Sequence, residues 1–598
     1  MQSYVKVKTV RRGAKLMCGV VASAMLLFGV SSVSANVLDD MPSNSTVVMR
    51  LKNINEANIK VGAFLKQLGV VEMKPELADP LAVLMAEGKV KEGLDKSGDF
   101  GLYMMIENLE KMDDAKPPLV LLVPVTDYKA FIGNFGESKR DGNVDVILGD
   151  SDMFITQWDK YAAMSPIKAM LEKKPDGFKT SAKITAEFEA KDMTMMLNMK
   201  TFGPMLKEKI AAHKDELKQT MNREIEGNDK VAKYSKLINI AVDQGIKLAE
   251  SVVSQTDVLA FSVNLGEKGI TGSYLAEFKP DSTAGAIFAK MSNIAGPIVL
   301  GLPEAKYVLA GGGINGHTMD AELIDFLKPI EEEMARSGDE MKPALTMINA
   351  MKKLTKAQDT QATGIIAPVG AFGQTSMFQM VTVFTGNAKD FIAAQGEMMT
   401  GQQELMALLP NQPKTTLKIT PDAKTIDGVS FTKLATEFDG DDAASMQAKQ
   451  VIAMVYGPNG ATAYIGAIDD KHALLAYGLD DAMISATIKS VKAGDDQFSK
   501  MEGFKLVNGH LPANRMSVGY FDLGLVVTTV TNYAKMMMLT IPVNIKPDLP
   551  PIGMAVSTDG SLLRADVFIP GELTEAMAAT VIQLRMMGAG KPGKAGGL

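Results

Sequence analysis

The chain has 598 residues, with 63 Lys and Arg against 70 Asp and Glu, four His, 42 Met and one Cys. A net charge of −7, with scattered acids and no basic cluster after the N-terminus, argues against nucleic acid or an anionic membrane surface as partner. A single cysteine excludes a disulfide framework and a thiolate metal site, so burial of a core must hold the fold together.

The first element is residues 1–35. Lys6, Lys8, Arg11, Arg12 and Lys15 form a basic segment without acids, followed by the apolar stretch Leu16 to Val30. It ends in Ser-Ser-Val-Ser-Ala, with Val33 and Ala35 where a signal peptidase needs small residues. This predicts a secretory signal peptide cleaved between Ala35 and Asn36. The stretch is short for a retained membrane anchor. Met17 before Cys18 argues against a lipoprotein cysteine, and Arg11-Arg12 lacks the apolar residues that usually follow a twin arginine. Cleavage would leave 563 residues with 58 basic and 70 acidic side chains and no thiol. Later apolar runs such as Leu119–Val125 are strand-sized, so no transmembrane span is expected in the mature chain. The expected location is periplasmic or extracellular.

Beyond the signal, four segments recur in order. Met41-Pro42, the strand Thr46–Leu51 and a helical pattern through Phe64-Leu65 match Leu302-Pro303, Tyr307–Ala310 and the pattern through Phe326-Leu327. The strand Leu119–Val125, running into Asp127–Phe131, matches Phe378–Phe384 running into Asn387–Phe391. Met153-Phe154-Ile155 before a helical Pro166–Leu171 matches Ala473-Leu474-Leu475 before a helical Ala482–Val491. The hairpin Leu259–Val263, Lys268-Gly269, Tyr274–Phe278 and Pro280 matches Gly553–Ser557, Asp559-Gly560, Arg564–Phe568 and Pro570. Each hairpin leads into a helix, Asp281–Met291 or Glu572–Leu584, and its turn glycine supplies a positive φ. A long helical pair, Pro204–Glu224 and Asp229–Val253, is particular to the first copy. Extra strands at Leu417–Ile419 and Val429–Thr436 are particular to the second.

The predicted class is α+β: two tandem related domains, mostly antiparallel sheets each covered by helices. The expected domains are 36–300 and 301–586, after the signal peptide 1–35 and before a disordered tail, 587–598. Methionine fills irregular apolar gaps, so its abundance fits a loosely specified core or a greasy binding surface.

Each chemistry-bearing motif has a simpler structural explanation. Gly311-Gly312-Gly313-Ile314-Asn315-Gly316 matches G-x-G-x-x-G between a strand and a helix, but its counterpart Arg50–Asn55 has no glycine and the surrounding strands look antiparallel. Gly588–Lys594 nearly spells a phosphate loop, but Ala595 replaces the hydroxyl residue and no helix can follow. Ser165-Pro166-Ile167-Lys168 fits S-x-x-K without its partner motifs, and Ser-Pro at a helix start is an N-cap. His213, His317, His472 and His510 are far apart in sequence. Asp439-Gly440-Asp441-Asp442 could attract calcium, yet an acidic N-cap explains it without a metal. Met193, Met196 and Met199 would suit cuprous copper on a helix. On the strand Asp192–Met199, paired with Arg515–Asp522, Met193, Met195, Leu197 and Met199 instead share one core face.

Leu38–Leu51, Leu119–Phe131 and Gly553–Pro570 carry a resemblance to exported bacterial proteins of unknown function with two tandem α+β domains. That resemblance implies no catalytic, cofactor-binding or metal-binding residues. The expected role is therefore a non-catalytic exported binding or scaffolding protein of the cell envelope, with an envelope protein or an apolar ligand as partner and no cofactor. The alternatives are a periplasmic carrier of lipid or another apolar ligand, and a hydrolase whose triad is assembled from distant residues.

Overall fold

The structure, a computed structural model, describes residues 37–107, 117–148, 153–226, 232, 234–368, 376–408, 414–440, 443–457, 460–536, 538–539 and 545–589. The predicted signal with its Ala35–Asn36 junction, Cys18, Asp441-Asp442 and the last nine residues lie outside the described residues. The fold is mixed α+β, with the strands inside each unit described below paired antiparallel. The chain separates into two compact units, Met1–Ala212 with Glu250–Gly285, and His213–Ala249 with Ala286–Leu598.

In the first unit, β1 (Val47–Leu51) leads to α1 (Ile54–Gln67) and α2 (Pro80–Glu87). Next come β2 (Phe100–Met104), β3 (Leu119–Pro124), α3 (Tyr128–Gly133), β4 (Ser138–Asp141), β5 (Val144–Ile147), β6 (Met153–Trp158) and β7 (Tyr161–Ser165). Then follow α4 (Ala182–Ala190), β8 (Met193–Asn198), the long helices α5 (Met199–Glu226) and α6 (Ser235–Gln255), β9 (Thr256–Gly266), β10 (Gly269–Phe278) and α7 (Thr283–Lys290). Helix starts are set by side chains that satisfy otherwise orphaned backbone N–H groups. Asn53 accepts from Glu56 N, Asp79 from Ala82 N with Pro80 at the first helical position, and Asp127 from Ala130 N. The strands pair in the order 4-5-6-7-3-2-1-8-9-10.

Period-two alternation gives this sheet two distinct faces. Val48, Tyr103, Val120, Leu122, Met196, Ala260 and Leu275 lie on the inner face and are almost wholly buried. The lead-in turn Val37–Asp40 touches β2 there, and α4 touches β8 and β9. On the outer face, Ile54, Ala57, Val61 and Leu81 of α1 and α2 pack with Met49, Leu51, Leu102, Leu121 and Met193.

The second unit contains β11 (Tyr307–Ile314), α8 (Asp320–Arg336), α9 (Lys342–Ala357), β12 (Gln358–Ile366), β13 (Gln379–Gly386), α10 (Ala388–Leu408), β14 (Lys414–Ile426) and β15 (Val429–Asp439). It continues with α11 (Ala443–Tyr456), β16 (Thr462–Ala467), β17 (His472–Tyr477), α12 (Asp481–Ala493), α13 (Glu502–Asn508), β18 (Ser517–Phe521), α14 (Leu523–Met536), β19 (Ile552–Asp559), β20 (Leu562–Pro570) and α15 (Gly571–Ala589). The strands pair in the order 14-15-16-17-13-12-11-18-19-20, which is the first order with ten added to every number. Here α12, α13 and the segment around Ile298–Leu302 cover the inner face, and α10 covers the outer face of β13, β16 and β17. The segment His213–Ala249, from the α5–α6 pair, groups with this unit, where Lys236 Nζ lies 2.7 Å from Glu333.

Hydrogen bonds within each sheet fix which residues of the two units correspond. Asn198 N donates to Thr46 O and Asp522 N to Val308 O, while Lys52 N donates to Asp192 O and Ile314 N to Met516 O. Val47 through Lys52 therefore correspond to Leu309 through Ile314, and Asp192–Asn198 to Met516–Asp522. This moves the sequence match of Asp192–Met199 with Arg515–Asp522 by one residue. Met153-Phe154-Ile155 in β6 corresponds in strand order to β16; Ala473–Leu475 in β17 corresponds to β7. The strands expected as extra in the second copy, β14 and β15, have a shorter counterpart in β4 and β5. The helical stretch expected at Pro166–Leu171 is a single turn, Lys168–Leu171.

Candidate functional site

The helices on the outer faces do not reach across the whole of either sheet. In the first unit two rows of paired residues cross β1, β8, β9 and β10: Val47, Leu197, Leu259, Ala276, and Met49, Met195, Phe261, Tyr274. Met49 is buried, but Met195 and Leu259 are each 38% exposed and Tyr274 is 57% exposed. Val47, Leu197, Phe261 and Ala276 are half-buried. The rings of Phe261 and Tyr274 stand 4.9 Å apart, continuing the strip toward β10. Four adjacent strands make it about 15 Å wide.

The second unit leaves the same place open. Its rows are Leu309, Phe521, Ile552 and Gly311, Gly519, Met554, Val567. Leu309 is 42% and Met554 49% exposed, with Phe521, Ile552 and Val567 half-buried. Gly311 and Gly519 stand where the first unit has Met49 and Met195. Gly311, with Gly312 and Gly313, lines a hollow of about 370 Å³ beside Leu309, Gln361 and Thr363. A Cβ at Gly311 would lie 2.6 Å from the Val518 carbonyl oxygen, whereas one at Gly519 would meet nothing closer than 3.9 Å.

Single exposed apolar side chains are ordinary, but contiguous ones mark contact surfaces. None of these side chains is an acid or base near neutral pH, so the strip offers apolar contact rather than proton transfer. Sequence reading placed Met193, Met195, Leu197 and Met199 together in the core. Met193 does enter the core, Met195 is open, Met196 points to the inner face and Met199 begins α5. The missed signal was apolar character on both faces of β9, where Val258 and Ala260 alternate with Leu259 and Phe261. Periodicity does not say how far the covering helices extend.

The other motif residues are dispersed. Ser165 is fully buried and accepts from Ile167 N, while Lys168 turns away to Asp141 at 2.7 Å. Gly311–Gly313 lie within β11 rather than after it, and a Cβ on Gly312 would sit 2.3 Å from Ile298 O. Close backbone approach explains that glycine. His317 contacts Asp320 through Nδ1 at 3.1 Å and Asp359 through Nε2 at 3.3 Å. Partial burial lowers its pKa, but the two carboxylates outweigh burial and raise it. His472 pairs with Asp469, and His510 stacks on Phe568. Gly440 O accepts from Lys449 Nζ at 2.8 Å, beside the proposed calcium cluster. Among the described residues no group of three or more His, Cys, Asp or Glu is placed to hold a metal, and no helix is long and apolar enough to cross a membrane.

No protein-family model matches the chain, and no curated protein matches it. Among solved structures, crystal form III of TP0453 is 10% identical, with a TM-score of 0.21, covering 48% of this chain and 99% of that one. Crystal form IV gives 10% and 0.20 over 50% and 99%, and crystal form I gives 9% and 0.20 over 48% and 97%. These scores are too low for TP0453 to inform either the fold or the function of this chain.

Proposed function

We propose that this chain is an exported, non-catalytic binding protein of the bacterial cell envelope, made of two copies of one α+β domain. Each copy uses its uncovered outer strip to hold an apolar partner. The observation that carries this reading is the strip itself, apolar and open at the same register in both units. The first 35 residues support export, and the common strand order supports duplication. His317, with both ring nitrogens against carboxylates, has no free base position.

The carrier reading is favoured by size. A strip about 15 Å wide and a few residues long falls far short of the roughly 800 Å² per partner of a standard protein interface. It suits one hydrocarbon chain better, and the hollow of the second unit would take part of one.

Native mass spectrometry of residues 36–598, isolated gently from the export compartment, tests both. A discrete added mass that denaturation releases into organic solvent, absent from a Leu259→Ser/Met554→Ser variant, selects the carrier. A clean apo mass with a crosslinked partner lost in the same variant selects the binding protein. A ligand or partner retained unchanged by that variant removes the strip from the reading.

A further inference from the structure

A separate cleft of about 860 Å³ opens in the first unit between α3, the β4–β5 hairpin, β6 and the segment around Leu171. Its inner wall includes Trp158 and Leu171, both nearly buried, and Ile132. Across it stands a fixed polar network. Tyr128 Oη donates to Asp145 Oδ2 at 2.9 Å, Arg140 also donates to that oxygen, and Arg140 Nε donates to Gly142 O at 3.1 Å. Asp145 is nearly buried, and burial with the adjacent Asp145 carboxylate pushes the Tyr128 hydroxyl pKa up. The tyrosine therefore stays a neutral donor at any physiological pH.

The lining excludes some ligands by its chemistry. A simple apolar molecule would shut water away from the remaining hydrogen-bonding positions of Arg140, Asp145, Asn143 and Gln157 and offer nothing in return. A strongly charged ligand would meet both signs at once, since Lys129, Arg140 and Lys174 stand with Asp145 and Glu172. Lys174 is already engaged with Asp40 at 2.8 Å and with Asp159. A neutral, many-hydroxyl ligand fits, because every hydroxyl both donates and accepts and the walls offer both. The volume lies in the range of small-ligand sites. The second unit lacks this arrangement: Ala388, which follows the capping Asn387, takes the place of Tyr128 after Asp127.

We infer that the Trp158–Arg140–Asp145 cleft of the first unit is a binding site for a neutral oligosaccharide of two or three sugar units. It is independent of the apolar strip. Trp158 is the only tryptophan in the chain, so its fluorescence reports on this cleft alone. Titration of residues 36–598 with N-acetylated chitotriose and with maltotriose should give a saturable change for at least one of them, with Kd of about 1 mM or tighter. Arg140→Gln and the exposed-rim variant Gln157→Ala should each weaken it at least several-fold with unchanged circular dichroism, and Leu259→Ser should leave it intact. Gln157→Ala keeps the test open should Arg140→Gln fail to fold. No saturable response to either sugar, confirmed by saturation-transfer NMR, would overturn the inference. So would a response to inorganic phosphate alone, or sugar binding unaffected by both cleft variants.

Discussion

The two sheets share one strand order but are locked by different chemistry. At one position of the central strand, the first unit has Arg50, held between Asp99 at 2.8 Å and the Phe188 carbonyl, and the second has Gly312, with its backbone close to Ile298 O and Gln361 O. Where the first unit buries Asp192 against Lys60 at 3.0 Å, the second has Met516. The second unit compensates with aromatic packing: Phe498 lies 5.3 Å from Tyr307 and 4.1 Å from Phe504, which meets Tyr520 edge-on at 5.3 Å. The strand order therefore does not depend on the kind of core. Alternation and burial specify it, and ion pairs or ring clusters are interchangeable ways of closing the same inner face.

Breaking each lock gives the largest expected effect. Arg50→Ala leaves Asp99 buried without its counter-charge beside Asn53 N, and should cost about 3–5 kcal/mol. Because the molecule has two units, the loss should appear in one of two denaturant transitions; a uniform shift of both would show that the units unfold together. Gly312→Ala drives a Cβ against two backbone oxygens and should cost the second unit about 1–3 kcal/mol. Tolerance of that variant would mean that the glycine is not there for close approach.

A third contrast is Asn198 against Asp522, which end equivalent strands. Each accepts from a backbone N–H of the helix that follows, Lys200 N or Leu525 N. Burial pushes Asp522 from 3.8 up to about 6, so the folded state binds its proton more tightly than the unfolded chain. Stability contributed there is full below about pH 4, falls as pH rises toward about 6, and is flat above. Discounted for its partial exposure, the fall should be about 1–2 kcal/mol. Asp522→Asn should abolish it in pH-dependent denaturant melts, and an unchanged slope would assign the pH dependence elsewhere. The smallest effects concern the strips. Gly519→Met has room and copies Met195, so stability should move by about 0.5 kcal/mol or less. It should nevertheless put a side chain across the strip of the second unit and, in the native mass measurement, weaken any ligand held there while leaving one bound at Tyr274.

Much of this frame was legible from residues alone. The hairpins β9–β10 and β19–β20, with Gly269 and Gly560 at positive φ, announce themselves by alternation and turn chemistry. The strand β6 was misaligned with β17 because β6, β7, β16 and β17 are all short apolar runs in hairpins, which periodicity does not distinguish. The uncovered strips were not legible, because an apolar strand reads the same whether a helix covers it or ends short of it. The cleft escaped for another reason: Tyr128, Arg140, Asp145 and Trp158 come from four elements and form no motif.

The central position of β1 and β11 also has a kinetic consequence. Each is the first strand of its sheet to be made, yet it pairs with the eighth: Met49 with Met195, 146 residues later, and Gly311 with Gly519, 208 residues later. Neither sheet can close until nearly all of its unit has emerged, and such non-local pairing slows folding. The growing chain thus carries unpaired apolar strands for a long interval, most of all in the second unit. A holding chaperone would find its clients here among β1 and β11, and delaying or deleting strand 8 of either unit should turn a slow folder into an aggregating one.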